Sequence, residues 1–243
     1  MVASTLDPDE VAKFNALAAE WWNPKGPFGA LHRLNPVRLQ VVRDLAQRHF
    51  GTAPARPLKG LEVLDLGCGG GLVSVPLARM GADVIGIDAA PEAVGAAQAY
   101  AARAGVAVRY ENTTAEALME RGAQFDLVTA LEIVEHVADV RVFLEAAAAL
   151  VKPGGALILS TINRTPKARA LAIVGAERIL KWAPEGAHDY DKLVTPEEIR
   201  AGAPQLSWEE PVGIVYAPLG VGWTLSDDIS VNYMITGIRP GRV

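Results

Sequence analysis

Between Leu131 and Asp139 the chain reads LEIVEHVAD, which sets Glu132, Glu135 and His136 at positions i, i+3 and i+4 at the end of an apolar run, FDLVTAL. Two carboxylates and an imidazole are costly to keep at the end of a buried strand, so their presence asks for a purpose. Residues at this spacing share one face if the segment is helical. Three readings compete. The first is a polar helix N-terminus whose carboxylates are favoured by the dipole. In the second, His136 is a general base and the glutamates orient it. In the third, Glu132, Glu135 and His136 hold a hard divalent cation, Mg²⁺ in the first place, with the imidazole as the less typical ligand. His188, in GAHDY, is another candidate base, and His32 reads as structural.

A second constellation lies upstream. In VLDLGCGGG (63–71) an apolar strand ends in Asp65 and is followed by Gly67, Gly69 and Gly71. Glycines here allow positive φ and a close backbone approach to a ligand, and the following helix N-terminus offers free N–H groups. The next strand, DVIGID, ends in Asp88, where a carboxylate can accept the hydroxyls of a ribose. The spacing G-x-G-x-G departs from the dinucleotide fingerprint G-x-G-x-x-G. An acidic Asp65 also suits a cationic ligand better than a pyrophosphate. S-adenosylmethionine, with its sulfonium and ammonium groups and no phosphate, fits that charge. Cys68 reads as a small residue of the loop.

These residues need a frame. From Leu61 onward, short runs rich in branched residues (LEVLDLG, DVIGID, VAVRYE, FDLVTAL, ALILSTI) alternate with helix-like stretches at 72–80, 91–104, 114–121 and 138–151. Such alternation predicts a parallel sheet covered on both faces. PVGIVYAPL and ISVNYMITGI, with no helix between them, predict a terminal antiparallel pair. Ahead of the core, Asp7 and Pro8 start a helix as N-cap and N1 residues. A break follows at NPKGPFG, a second helix restarts at Asn35 and Pro36, and GTAPARPLKG is a linker. The predicted organisation is one domain over 1–243: a helical cap at 1–52, a cofactor-binding core at 60–162, an insertion at 163–194, and a C-terminal helix and strand pair at 195–243.

Composition sets bounds. The 243 residues carry a net charge of −5 and are half hydrophobic, which gives no global electrostatic case for nucleic acid. A single cysteine rules out an intrachain disulfide and fits a reducing compartment. No signal peptide and no run of about 20 apolar residues is evident, so the expectation is a cytoplasmic protein.

The set VLDLGCGGG, Asp88, FDLVTALEIVEHV and LVKPGGALILST resembles, in order and spacing, the class I S-adenosylmethionine-dependent methyltransferases over about residues 60–162. The resemblance implies an α/β, Rossmann-like seven-stranded sheet, parallel with one antiparallel terminal strand, with an N-terminal helical cap and a helical insertion after strand five. FNALAAEWWNPKGPFGALHRLNPVRL (14–39), STINRTPKARALAIVGAERIL (160–180), GAHDYDKLVTPEEI (186–199) and VNYM (231–234) narrow it. They resemble the ubiquinone-biosynthesis O-methyltransferases over nearly the whole chain. That family methylates polyprenylated catechols and late quinol intermediates, and its pattern puts cofactor contacts at Arg38, Gly67, Asp88 and Leu131, where methionine is usual. It also carries the E-x-x-E-H set with a divalent ion, although similar positions in metal-free plant N-methyltransferases serve amine deprotonation.

The insertion interleaves Leu171, Ile173, Val174, Ile179, Leu180 and Trp182 with Lys167, Arg169, Arg178 and Lys181. A basic apolar segment of this kind suits a membrane interface, so 163–189 is expected to meet lipid at the inner membrane, or to act as a lid. The mechanism implied is in-line attack by a catecholate oxygen on the S-adenosylmethionine methyl group. Alternatives are a soluble small-molecule N- or O-methyltransferase and a non-catalytic member of a quinone-biosynthesis complex. An NAD-dependent oxidoreductase is opposed by the glycine spacing and Asp65.

Overall fold

The computed structural model describes residues 5–171, 189–217 and 222–241. Five parallel strands form the first half of the sheet: β1 (Glu62–Leu66), β2 (Asp83–Asp88), β3 (Arg109–Asn112), β4 (Phe125–Leu131) and β5 (Val151–Ile162). The second half is antiparallel: β6 (Ser207–Trp208), β7 (Val212–Ala217), β8 (Gly222–Ser226) and β9 (Asn232–Ile238). The strand order is β3-β2-β1-β4-β5-β9-β7-β8, with β6 also paired to β9. The described residues thus form nine strands where the sequence pattern predicts seven. The additions are the two-residue β6 and the edge strand β8, whose five residues are all half-buried and lack a clean apolar alternation.

The central strands are apolar on both sides because both sides are covered. Along β5, Ala156 and Ile158 face one core and Leu157 and Leu159 the other, and β1 and β4 divide in the same way. One core packs against α2 (Gly29–Phe50) and α3 (Ser74–Arg79); the other packs against α5 (Ala115–Glu120), α6 (Val140–Ala149) and α8 (Pro196–Gly202). The remaining helices are α1 (Pro8–Ala16), α4 (Pro91–Arg103) and the one-turn α7 (Pro166–Ala168). Asp7 caps α1 as predicted, accepting hydrogen bonds from the N–H groups of Asp9 and Glu10. Thr195 and Glu198 form a capping box on α8.

The second helix begins at Gly29, not at Asn35, and runs through Pro36. Proline removes one helical N–H and disfavours the turn before it. Here the burial of Leu34, Val37, Val41, Val42 and Leu45 on one stripe outweighs that cost.

Candidate active site

The strand order reverses between β1 and β4, and a ligand in such a sheet lies outside the carboxyl ends of the strands at that point. A cavity of about 840 Å³ opens there. Arg38, Asp65, Gly67, Asp88, Leu131, Glu132, Glu135 and His136, all singled out from the sequence, line it. His188 lies outside the described residues.

The glycine loop follows β1. Gly67, Gly69 and Gly71 have φ of 66°, 49° and 83°, the left-handed region that glycine occupies without strain. Gly67 borders the cavity, and a Cβ there would stand 2.2 Å from Cδ1 of Ile133. Gly69 and Gly71 are not part of the cavity wall among the described residues. Gly69 lies under the Trp21 ring, with its N–H bonded to the Asp88 carboxylate at 2.9 Å, and Gly71 faces Tyr110. The other Asp88 oxygen accepts from the Ala90 N–H at 2.8 Å. Burial raises the Asp88 pKa above the usual carboxylate range, with the Ala90 and Gly69 N–H groups opposing it.

Asp65 sits beneath the loop, 2% exposed. It accepts hydrogen bonds from Ser74 Oγ at 2.5 Å and Thr129 Oγ1 at 3.0 Å, tying β1 to α3 and β4. Burial pushes its pKa up to about 6. Cys68 is buried, and burial pushes its thiol well up, which suits a packing residue and not a nucleophile.

Arg38 is buried, not solvated. Its Nη2 donates to Asn35 Oδ1 at 3.2 Å, and its Nη1 lies 3.9 Å from Glu132 Oε1. The Nε–H has no hydrogen-bond acceptor among the described residues. A buried, incompletely bonded guanidinium on a cavity wall is suited to an anionic group of a ligand.

The LEIVEHVAD segment is where the structure departs most from the helical-face reading. Val134–His136 is a single 3₁₀ turn, and Glu132 has φ of 56°, the one non-glycine residue in the left-handed region among the described residues. The three side chains diverge. Glu132 accepts from Ser160 Oγ at 2.7 Å, and Glu135 from Thr161 Oγ1 at 2.9 Å. Ser160 and Thr161 are successive residues of β5 and point to opposite faces of the sheet, so the carboxylates they hold are drawn apart. His136 Nδ1 turns a third way, to Glu10 Oε2 of α1 at 2.9 Å. Among the described residues, no group of three or more His, Cys, Asp or Glu side chains is arranged to hold a metal ion. The Glu132–Glu135–His136 ligand set expected for Mg²⁺ therefore does not fit this geometry.

Two features of the site were not read from the sequence. One is Glu10, which reads as an ordinary charged residue on an amphipathic helix. Burial pushes the His136 pKa down, but the Glu10 hydrogen bond and the Glu135 charge outweigh it and hold it above its usual value. The other is the role of the tryptophan pair. Trp21 stacks on Phe28 at 3.7 Å and lies against Gly69 and Gly70, and Trp22 Nε1 donates to the Gly70 carbonyl at 2.8 Å. His32 completes this cap, its Nε2 lying 2.9 Å from the Trp21 carbonyl oxygen.

The reversed strand order, the glycine loop after β1 and the carboxylate at the end of β2, together with the antiparallel β9 beside β5, are those of the class I S-adenosylmethionine-dependent methyltransferase fold. The Methyltransferase domain family matches residues 64–159. Magnesium protoporphyrin IX methyltransferase from Synechocystis PCC 6803, solved with bound S-adenosylhomocysteine, shares the fold with a TM-score of 0.64 at 21% identity, over 94% of each chain. A possible histamine N-methyltransferase from Thermotoga maritima gives 0.65 at 19% identity, over 95% of this chain and 99% of its own.

The full-length relatives are more specific. The ubiquinone biosynthesis O-methyltransferase of Azorhizobium caulinodans is 53% identical over 96% of this chain and 94% of its own. That of Sinorhizobium medicae is 52% identical over 98% and 97%. The chain belongs to the ubiquinone biosynthesis O-methyltransferase family, and is an S-adenosylmethionine-dependent O-methyltransferase.

Proposed function

We propose that this enzyme methylates a hydroxyl of a polyprenylated catechol and of a later demethyl-quinol in ubiquinone assembly. The observation that carries the reading is one cavity with Gly67, Arg38 and Asp88 on its wall together with the His136–Glu10 pair. The residues present fit S-adenosylmethionine. Arg38 would hold its carboxylate and Asp88 its ribose, with Gly67 allowing close approach and Leu131 packing at the end of β4. When bound, the cofactor supplies an electrophilic methyl group.

The chain's part is to position the acceptor oxygen and take its proton. Glu10 accepts from Nδ1–H of His136 and fixes that tautomer, which leaves Nε2 to accept the proton of the acceptor hydroxyl. Glu132, held by Ser160 beside Arg38, supplies negative charge next to a cationic cofactor. No protein nucleophile is required, and orientation of the two reactants supplies much of the acceleration. No step is routed through a metal, because Glu132, Glu135 and His136 diverge.

No helix among the described residues is long and apolar enough to cross a membrane. A polyprenyl substrate partitions into lipid, so we place the enzyme at the cytoplasmic face of the inner membrane, with 163–189 toward the bilayer and a place beside other quinone-assembly enzymes. Residues 172–188 of that segment, with Arg178 and Lys181, lie outside the described residues. Of the described cations, Lys167 pairs with Asp228 at 2.5 Å and Arg169 lies over the Tyr190 ring at 5.4 Å.

The test is transfer of label from S-adenosylmethionine to a short-chain prenyl catechol, with EDTA and then with Mg²⁺. Turnover in both is expected. Turnover only with Mg²⁺ would overturn His136 as the base, and turnover with an amine acceptor alone would overturn the substrate class.

A further inference from the structure

Three large apolar side chains stand exposed among the described residues: Leu6, Leu171 and Tyr216, at 41%, 53% and 41%. They come from distant parts of the chain: the segment before α1, the segment after α7, and β7. Single exposed apolar side chains are common and need no explanation. Here all three line the same cavity, the one that holds the cofactor loop.

The wall behind two of them is continuous. Leu131 ends β4, Ile162 ends β5, Val231 precedes β9, and Ile214 and Tyr216 lie on β7; all border the cavity. This is also the order of the strands across the sheet, so the wall runs along the sheet's edge away from the glycine loop. Ile214 is buried and Tyr216, two residues on, shares its face of β7. Trp223 sits opposite Tyr216 in the β7–β8 register, with ring centroids 5.4 Å apart at 58°. Among the described residues the far end of the cavity is thus a largely apolar trough with an aromatic pair at its side and the exposed Leu171 on its wall, bordered by the Lys167–Asp228 ion pair and Asn232.

We propose that this trough is the subsite for the isoprenoid tail of the acceptor, with Tyr216, Trp223 and Leu171 setting the preference for tail-bearing over tail-less substrates. The proposal rests on the prenylated-catechol reading above. A catechol ring needs polar groups and a closed pocket; it has no use for exposed apolar side chains. A chain of isoprene units longer than the cavity needs both a trough to lie in and apolar side chains, such as Leu171 and Tyr216, to lie against where it leaves.

The experiment compares kcat/KM for a farnesyl-bearing catechol with that for the same catechol without a tail. It uses saturating S-adenosylmethionine, vesicle-free buffer and acceptor below its aggregation concentration. The wild type is expected to favour the tail by more than about tenfold, from the apolar area buried. Tyr216→Ser and Leu171→Ser, both at exposed positions, should each cut that ratio by about fivefold. A ratio within twofold of wild type in both variants would overturn the proposal. So would an unchanged ratio with lost co-sedimentation on phospholipid vesicles, which would make these side chains a bilayer contact. A wild type that methylates both acceptors equally well would remove the tail subsite and leave the catechol methyltransferase standing. One that methylates neither would overturn the function and the subsite together.

Discussion

Arg38 serves both cofactor binding and fold stability, and the two can be read apart. Arg38→Met keeps much of the side-chain length and removes the charge. Without ligand, the losses are its hydrogen bond to Asn35 and, larger, its attraction to Glu132, with 3.9 Å between Nη1 and Oε1. At an effective dielectric near 20 this is about 4 kcal/mol. Against it stands the desolvation penalty of a 2%-exposed guanidinium, itself several kcal/mol. Removal of one member leaves the largely buried Glu132 without its partner and Asn35 Oδ1 without its donor, a net loss of about 3–5 kcal/mol, so the ligand-free melting temperature should fall by about 6–20 °C. In the complex, Arg38 gives a charge-assisted bond to the cofactor carboxylate worth about 1.5–3 kcal/mol, so S-adenosylhomocysteine should bind roughly 10- to 150-fold more weakly. Calorimetric titration with S-adenosylhomocysteine and then with adenosine, which lacks the amino-acid end, isolates that contact. An equal loss for both ligands, or none for S-adenosylhomocysteine, would refute the assignment.

Other substitutions probe the loop, the buried carboxylate and the base. Gly67→Ala must accept φ of 66° and a Cβ 2.2 Å from Ile133 Cδ1; it should cost about 1–3 kcal/mol in denaturant melts, partly recovered by adding Ile133→Ala. Burial raises the Asp65 pKa to about 6, above its ordinary value, so the folded state binds its proton more tightly and stability falls as pH rises from about 4 to 6. Asp65→Asn lacks that titration, and its stability relative to wild type should improve by about 3 kcal/mol between pH 4 and pH 7; a constant difference would count against the shift. Glu10→Gln should lower kcat on the order of tenfold by loosening the His136 tautomer, with S-adenosylhomocysteine affinity within twofold of wild type; an unchanged kcat would remove Glu10 from the mechanism.

What could be read from the sequence was what is local. VLDLGCGGG and the alternation of apolar runs carry their geometry within a few residues, so the cofactor loop and the parallel half of the sheet were legible. Asp88 followed from the strand before it. Arg38 could be picked out only through resemblance, since its burial depends on α2 continuing past Pro36 to pack against β1, β4 and β5. The fate of Glu132, Glu135 and His136 was not legible. Nothing in the sequence marks a glutamate for the left-handed region, and the partners of the three come from β5 and from α1, with Glu10 and His136 126 positions apart. The extra strand β8 depends on pairing with β7, not on a pattern of its own.

The sheet also divides the labour of the cavity along the chain. The walls around the glycine loop come from residues before Val137, and those of the far trough come largely from residues after Ser160. Within the sheet, the strand pairing that joins the antiparallel half to the parallel half among the described residues is one seam, β9 on β5. β7 and β8 also pack in one core with α2, the helix that carries Arg38, so a change in that hairpin leaves the donor site intact only if it keeps this apolar face. In an evolving lineage, acceptor range can drift by exchange of one hairpin while donor recognition stays under separate selection. Chimaeras spliced at that seam between relatives with different acceptors should keep the donor affinity of one parent and take the acceptor preference of the other.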